Sequence, residues 1–230
     1  YQMTERTFDP QKLDKLNNPQ RLVDIPPDFI TDKLNDQKRE TLVEIGAGTA
    51  FFSLAFLQHL KPAKIYACDV SEAMLDWVKK NVSPTYPAIV PVKSEAYSVP
   101  LDDGIADLVF MINLHHELDD PSLTLKEAYR LLKHGGEIFI VDWKKQDMRE
   151  GPPQAIRCLP ENVRYELAAS GFDDVAIFTQ LPKHFLVVAG KATYQQPFRP
   201  SPPPTMCINA KDTGSGNTTS RKPRKIRTHP

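Results

Sequence analysis

Three acidic side chains stand at the ends of apolar stretches, and two glycines lie beside the first of them. Glu44 precedes Gly46 and Gly48 in LVEIGAGTAFFSLA (residues 42–55), Asp69 follows IYAC, and Glu95 follows VKS. A carboxylate beside the glycines suits an amino group, Asp69 can accept ribose hydroxyls, and Glu95 can accept an exocyclic amine. Each acid alone is explained equally well as a solvated loop residue. Together they predict S-adenosylmethionine as the ligand.

The glycine pattern itself argues against a dinucleotide. A dinucleotide fingerprint requires a third glycine three residues after Gly48, and Phe51 stands there instead. No Gly-Lys-Ser/Thr follows, so the pattern does not indicate a P-loop. A nucleotide-dependent oxidoreductase is therefore disfavoured, whereas a tight turn with a purely structural role remains an alternative.

Two histidines follow the fourth apolar stretch, in NLHHEL. This motif is predicted to bring Asn113, His115 or His116 over the sulfonium of the bound S-adenosylmethionine. An imidazole there can deprotonate a hydroxyl, phenol or thiol, or orient an acceptor. In the alternative interpretation, one histidine packs under the next helix and the other is a polar residue of the rim.

Further acceptor contacts are predicted from VDWKK and GPPQAIR. Asp142 and Trp143 end the fifth stretch and can line an acceptor site, and Arg157 can meet an acidic acceptor. Arg21 is predicted to contact the ligands from a lid that covers the strand ends. The alternatives are a strand-end acid, a packing tryptophan and an arginine paired with a neighbouring acid.

Strand and helix signals alternate from residue 41 to about 190, which predicts an α/β fold with a Rossmann-like, mainly parallel sheet and helices on both faces. Helix signals include Ser71 as an N-cap, a helix from Asp120 to Gly135, and one closed by Gly171. The last two strands have too short a link for a crossover and are predicted to form an antiparallel hairpin. The seven predicted strands are Thr41–Ile45, Lys64–Cys68, Ala88–Lys93, Ile105–Ile112, Glu137–Asp142, Asp174–Thr179 and His184–Ala189.

Composition indicates one globular unit followed by a basic, proline-rich C-terminal segment. The 230 residues carry no formal net charge, but from residue 195 onward seven basic residues face a single acid. We predict a lid and leading helix over 1–40, an S-adenosylmethionine-binding core over 41–191, and a disordered, proline-rich basic tail over 192–230. Because the positive charge lies outside the folding part, no specific nucleic-acid partner is expected.

The three cysteines, Cys68, Cys158 and Cys207, are scattered without a CxxC pair. This spacing predicts neither a metal site nor a disulfide framework, and it fits a cytoplasmic location. No apolar run approaches the ~20 residues of a membrane span, so no membrane partner is expected. The predicted partner is a small-molecule acceptor, and the predicted state is a monomer or homodimer.

Several segments resemble the class I S-adenosylmethionine-dependent methyltransferases, in particular the methyltransferase type 11 group. VEIGAGTAFFSLA resembles the first motif of this family, IYACDVSEAMLDWVKK the second, VKSEAYSVPLDDGIADLVFMINLHHEL the adenine segment and fourth strand, and EAYRLLKHGGEIFIVDW the fifth-strand motif. The resemblance covers about residues 8–191. It implies transfer of a methyl group from S-adenosylmethionine to an unidentified small molecule.

The resemblance also implies where the cofactor binds. Glu44 and the backbone of Gly46, Ala47 and Gly48 would face the methionine end, and Asp69 the ribose. The chain departs from the family at Ala50, where a glycine is usual. Crowding by this methyl group would weaken cofactor binding. The alternative function is a cofactor-binding protein without transferase activity. The remaining implied contacts, mainly with adenine, are Val70, Met74, Glu95 and Ala96, with Asn113 near the sulfonium.

Overall fold

The computed structural model describes residues 10–193, so the start of the predicted lid and residues 194–230 of the predicted tail, including Cys207, lie outside the described residues. A seven-stranded sheet has the order β3-β2-β1-β4-β5-β7-β6. The first five strands run parallel, while β7 pairs antiparallel with both β5 and β6. The strands are β1 Thr41–Ile45, β2 Lys64–Asp69, β3 Ile89–Lys93, β4 Ala106–Ile112, β5 Leu132–Trp143, β6 Asp173–Phe178 and β7 His184–Gly190.

Helices connect and cover these strands, as the α/β prediction required. Ser71 caps the helix after β2 by accepting a hydrogen bond from the Met74 amide, and Asp120 caps the helix after β4 through two amides. The helices are α1 Pro10–Leu16, α2 Gln20–Asp24, α3 Pro27–Thr31, α4 Phe51–Leu60, α5 Glu72–Asn81, α6 Pro121–Leu131 and α7 Pro160–Ala169, with 3-10 turns at His115–Glu117 and Gln154–Ile156.

The predicted strands and the C-terminal hairpin are confirmed, but the predicted end of one helix is wrong. The helix that begins after Asp120 ends at Leu131 rather than at Gly135. Leu132 pairs with Ala106 of β4, so the chain passes directly into β5, and the Gly135 amide donates to the Lys191 carbonyl at 2.8 Å. Sheet pairing therefore overrides the local helical pattern.

Two apolar layers pack on opposite faces of the sheet. On one face, the rings of Phe56, Phe110 and Phe139 contact each other at centroid distances of 5.0–5.3 Å. On the other face, α6 and α7 bury Leu125 and Leu167. This double cover explains why the central strands are almost continuously apolar.

The segment before β1 is fixed to the core at Ile25 and Ile30 and to the sheet at Arg39. Ile25 and Ile30 lie fully buried in the same core layer as Phe56. Arg39 forms a buried ion pair with Glu137 at 2.5 Å, at the end of the sheet opposite the glycine turn. No helix among residues 10–193 is long and apolar enough to cross a membrane.

Candidate active site at the carboxyl ends of the strands

The glycine turn between β1 and α4 lies where the strand order reverses, the usual place for a ligand in such a sheet. Gly46 has a φ of 73°, and a side chain there would meet Leu114 at 2.7 Å. Gly48 has a φ of 53°, and an added Cβ would meet only Leu16, at 3.7 Å. The turn therefore combines one glycine required by packing with another that leaves room for a ligand.

Glu44 is buried beneath this turn. Its side chain accepts a short hydrogen bond from the Ser53 hydroxyl, and the residue is 3% exposed. Burial raises the pKa of Glu44 to about 8, although the Ser53 hydrogen bond and the charge of Arg21 act in the opposite direction. A cationic ligand group nearby would favour the ionised carboxylate.

Asp69 at the end of β2 is held by backbone amides. Its Oδ2 accepts a hydrogen bond from the Gly48 amide at 2.7 Å, and its Oδ1 accepts one from Ser71 at 2.8 Å. Burial raises its pKa, while these hydrogen bonds partly offset the effect. Each carboxylate oxygen keeps a further lone pair, so the side chain can accept two ribose hydroxyls without losing its present contacts.

Apolar and amide groups flank Asp69 on the adenine side. Val70 is 49% exposed although it is aliphatic, and Met74 lies half-buried one helical turn further on. Glu95 and Ala96 are exposed in a turn closed by the Glu95 amide and the Ser98 carbonyl at 2.9 Å. The residues predicted to contact adenine therefore border one open edge beside β2 and β3.

Asn113 also lies at this end of the sheet, directly after β4. It adopts a positive φ of 56°, and its amide donates to the Val141 carbonyl at 2.8 Å. Its side-chain Oδ1 is buried and has no hydrogen-bond partner among residues 10–193. A buried acceptor without a donor fits a ligand that brings an ammonium or hydroxyl group.

The methyl group of Ala50 points into the protein rather than into the crevice. The residue adopts a left-handed conformation, with a φ of 57°, and precedes the first turn of α4. It is 0% exposed and belongs to the core layer that contains Phe52 and Phe56. The departure from the family glycine therefore costs backbone strain, and its methyl group does not line an open space.

Arg21 of α2 lies over the start of α4. Its guanidinium is 4.6 Å from the centroid of the Phe52 ring and 5.4 Å from that of Phe51, and Nη1 donates to the Leu16 carbonyl at 2.6 Å. Burial lowers the pKa of Arg21, and Glu44 partly offsets this. These contacts hold α2 against the start of α4, next to the glycine turn.

His116 and Asp142 form a buried pair across β4 and β5. Asp142 Oδ1 lies 2.8 Å from His116 Nδ1, and Oδ2 accepts the His116 amide at 2.9 Å. Asp142 is 0% exposed and also accepts the Trp143 amide at 2.7 Å. Burial alone would lower the pKa of His116, but the hydrogen bond and charge of Asp142 outweigh it and raise the pKa. The pair leaves the His116 Nε2 lone pair as the basic position.

His115 points away from His116 and joins a different group. Its Nδ1 lies 3.6 Å from Cys158 Sγ, and its Nε2 lies 2.9 Å from Glu166 Oε2 without hydrogen-bond alignment. Burial and the Asp142 charge raise the pKa of the Cys158 thiol to about 12, so the thiol is neutral and a poor nucleophile. Sequence reasoning missed this group because its members are far apart in the chain.

Arg157 holds the loop after β5 through hydrogen bonds to its carbonyls. It is 3% exposed, and it donates to the carbonyls of Pro152, Glu150, Gln146 and Lys144 at 2.8–3.3 Å. Four of its five N–H donors are thereby used within the loop after β5. Its guanidinium lies 5.8 Å from the centroid of the Trp143 ring, but its hydrogen bonds serve the loop rather than an acidic acceptor.

Trp143 lies under the same loop and beside an unpredicted histidine. Its ring centroid is 4.2 Å from that of His184, whose pKa burial lowers to about 4. A side chain at Gly151 would meet the indole at 2.7 Å, which explains the glycine of the GPP motif. Trp143 is half-buried.

Comparison with known proteins agrees with this geometry. A family described as "Methyltransferase domain" matches residues 43–140. The solved structure of a SAM dependent methyltransferase from Aquifex aeolicus is 30% identical, covers 80% of this chain and 98% of its own, and superposes with a TM-score of 0.72.

Two curated relatives match at lower identity. The uncharacterized methyltransferase YdaC of Bacillus subtilis (strain 168) is 25% identical over 64% of this chain and 78% of its own length. Sarcosine/dimethylglycine N-methyltransferase of Halorhodospira halochloris is 28% identical over 63% of this chain and 56% of its own.

The fold, the glycine turn between β1 and α4 and these relatives all indicate the same family. Its cofactor, S-adenosylmethionine, fits the residues present, because Asp69 has free lone pairs, Asn113 has an unpartnered buried oxygen, and Gly48 leaves an open cradle. The chain belongs to the class I S-adenosylmethionine-dependent methyltransferases and is an S-adenosylmethionine-dependent methyltransferase.

Proposed function

We propose that this methyltransferase acts on a small-molecule acceptor whose attacking atom gives its proton to His116. The observation that carries the proposal is the fully buried Asp142, which holds His116 through both the ring Nδ1 and the backbone amide. Such a carboxylate fixes the imidazole in one tautomer and orientation. Acceptors that must lose a proton include hydroxyls, phenols, thiols and protonated amines.

The cofactor contacts follow from the strand ends. Asp69 would hold the ribose, and Glu44 and Asn113 the cationic methionine end. The amides of Gly46 and Ala47 donate to the Cys68 carbonyl and that of Gly48 to Asp69, so the turn would contribute close backbone approach rather than free donors. Val70 and Met74 would cover the adenine while Glu95 and the Ala96 amide meet its edge. This arrangement is supported by the position of the strand ends around the point where the strand order reverses. The backbone part of the cradle consists of Gly46, Ala47 and Gly48.

The mechanism depends on positioning and on one proton. When bound, S-adenosylmethionine supplies an electrophilic methyl group on its sulfonium. His116 Nε2 accepts the acceptor proton as the new bond forms, and Asp142 stabilises the resulting imidazolium. Arg21 keeps the leading helices over the crevice through Phe51 and Phe52, which excludes water from the reaction.

Trp143 is the proposed acceptor contact on the far side of Asp142, and Arg157 contributes by holding the loop that covers Trp143. His115 stays in the proposal as a neighbour that supports the turn after β4 rather than as the base. The printed name of the Halorhodospira halochloris relative, an N-methyltransferase for sarcosine and dimethylglycine, supports testing small amines among the acceptors. The cytoplasmic location and the monomeric or homodimeric state remain predictions, and the free thiols of Cys68 and Cys158 support the first.

Cofactor binding tests the proposed cofactor contacts, and turnover tests His116 as the base. Transfer of radiolabelled methyl groups is measured against a panel of small hydroxy, thiol and amine compounds. We expect His116→Ala to bind cofactor normally and to lose roughly 10²–10⁴-fold in kcat. Asp69→Ala is expected to lose cofactor affinity by roughly 10²-fold, because two hydrogen bonds to a charged group are lost.

His59 provides a matched control, since it is a half-exposed histidine on α4 that pairs with Asp28 at 2.9 Å, outside the crevice. His59→Ala should leave both binding and turnover unchanged. Unchanged turnover in His116→Ala would refute the base assignment. Tight binding of S-adenosylmethionine without turnover of any acceptor in the panel would contradict a small-molecule acceptor.

A further inference from the structure

Three potential metal ligands from separate segments meet next to His116, and one of them, Asp142, is also the partner of His116. They are His115 of the 3-10 turn after β4, Asp142 at the end of β5, and Cys158 just before α7. One donor atom of each lies within 4.8 Å of the others. The side chains of His115 and Asp142 are 2% and 0% exposed, so this is an enclosed group rather than a surface cluster.

The donor set and spacing match a zinc ion. The 3.6 Å between His115 Nδ1 and Cys158 Sγ equals the separation of about 3.6 Å that tetrahedral angles give for Zn–N of ~2.0–2.1 Å and Zn–S of ~2.3 Å. The Asp142 oxygen lies within 4.8 Å of the other two donor atoms. Tetrahedral coordination requires a separation of about 3.4 Å from the nitrogen, so this oxygen would have to move by at most about 1.4 Å. A nitrogen, sulfur and oxygen set favours zinc over magnesium or calcium, which prefer oxygen ligands.

Glu166 supplies the second, independent observation. Its Oε2 lies 2.9 Å from His115 Nε2, yet both atoms are buried without an aligned hydrogen bond among residues 10–193. A small rotation of the imidazole would align this contact. It would place the proton on Nε2 and turn the Nδ1 lone pair towards Cys158. A carboxylate behind a histidine ligand is the usual arrangement at zinc sites.

We propose that His115, Asp142 and Cys158 bind a zinc ion, with Glu166 orienting His115 and water completing the coordination. Binding displaces the thiol proton of Cys158 to solvent, and the thiolate and the carboxylate together balance the charge of the metal. The ion would fasten α7 and the turn after β4 to the end of β5.

Metal binding to the full-length protein tests the proposal without any methyl acceptor. After chelator treatment and dialysis, zinc is titrated in competition with a chromophoric chelator, and cobalt(II) is added in parallel as a spectroscopic probe. We expect one zinc per chain and, with cobalt, a near-ultraviolet thiolate-to-metal band. Cys158→Ser should abolish the band and weaken zinc binding by about 10²-fold or more. Glu166→Gln should weaken it about 10-fold.

The chain offers matched controls among its other cysteines. Cys68 is buried in β2 with its thiol directed at the Tyr66 carbonyl, and Cys207 lies outside the described residues. Cys68→Ser and Cys207→Ser should keep both the band and the affinity. A wild-type protein that gives no thiolate band overturns the proposal whether or not Cys158→Ser folds, and so does equal affinity in Cys158→Ser. Because His116 is not a ligand, loss of the base assignment would leave these results unchanged.

Discussion

The buried carboxyl of Glu44 makes the stability of the protein depend on pH, and Glu44→Gln is expected to remove that dependence. Glutamine has nearly the same size and can still accept a hydrogen bond from Ser53. In the folded protein, burial raises the pKa of Glu44 to about 8 from an ordinary value of 4.5. The substitution therefore changes one titrating group and little of the packing.

The direction in which the free energy of unfolding changes with pH depends on whether the folded or the unfolded chain holds the Glu44 proton. Between pH 4.5 and 8 the unfolded chain has lost the Glu44 proton, whereas the folded protein retains it. Folding then takes up a proton, so the free energy of unfolding falls as pH rises. Each pH unit within this window is worth about 1.4 kcal/mol, which gives a loss on the order of 2–3 kcal/mol between pH 5 and pH 7.

Urea unfolding at pH 5, 6 and 7 measures this effect. Taking the difference between the wild type and Glu44→Gln cancels the other titrating groups. We expect the variant to gain on the order of 2–3 kcal/mol on the wild type from pH 5 to pH 7. Glu95→Gln, at an exposed position, is the control and should show a constant difference. A difference between wild type and Glu44→Gln that does not change with pH would show that Glu44 ionises normally in the folded protein.

Three further substitutions test other parts of the site. Gly46→Ala should lower the melting temperature and abolish cofactor binding, because its Cβ would lie 2.7 Å from Leu114 at a positive φ. Ala50→Gly should change the cofactor affinity measured by calorimetry by less than about twofold, since the removed methyl is buried in the core and deleting one buried methyl is a local change in packing. Arg157→Met should expose the loop at residues 144–153 to trypsin, because four hydrogen bonds to its carbonyls are lost.

Two of these substitutions have a matched comparison. Gly104 also has a positive φ, but an added Cβ meets nothing closer than 3.9 Å, so Gly104→Ala isolates backbone strain from the clash at Gly46. Arg164→Met on the exposed face of α7 should leave trypsin cleavage within the loop at residues 144–153 unchanged. Equal melting temperatures for the two glycine variants would remove the packing argument. Markedly tighter binding in Ala50→Gly would restore crowding as the explanation for that position.

Local patterns predicted most of the fold because they depend on neighbours in the chain. The alternation of apolar strands and capped helices predicted all seven strands, and the short link before β7 predicted the antiparallel hairpin. The helix predicted to reach Gly135 failed because pairing of Leu132 with β4 is a contact between distant residues. A propensity argument has no access to such a pairing.

The sequence by itself determined the family and the cofactor, since the glycine turn and the acids at three strand ends are short motifs with fixed positions. Only the tertiary structure separated the two adjacent histidines. It turned His116 towards Asp142 and His115 towards Cys158 and Glu166, and it used Arg157 to hold a loop. The physical reason is that the direction of a side chain and the pKa of a buried group are set by residues tens of positions away, which come together only when the sheet forms.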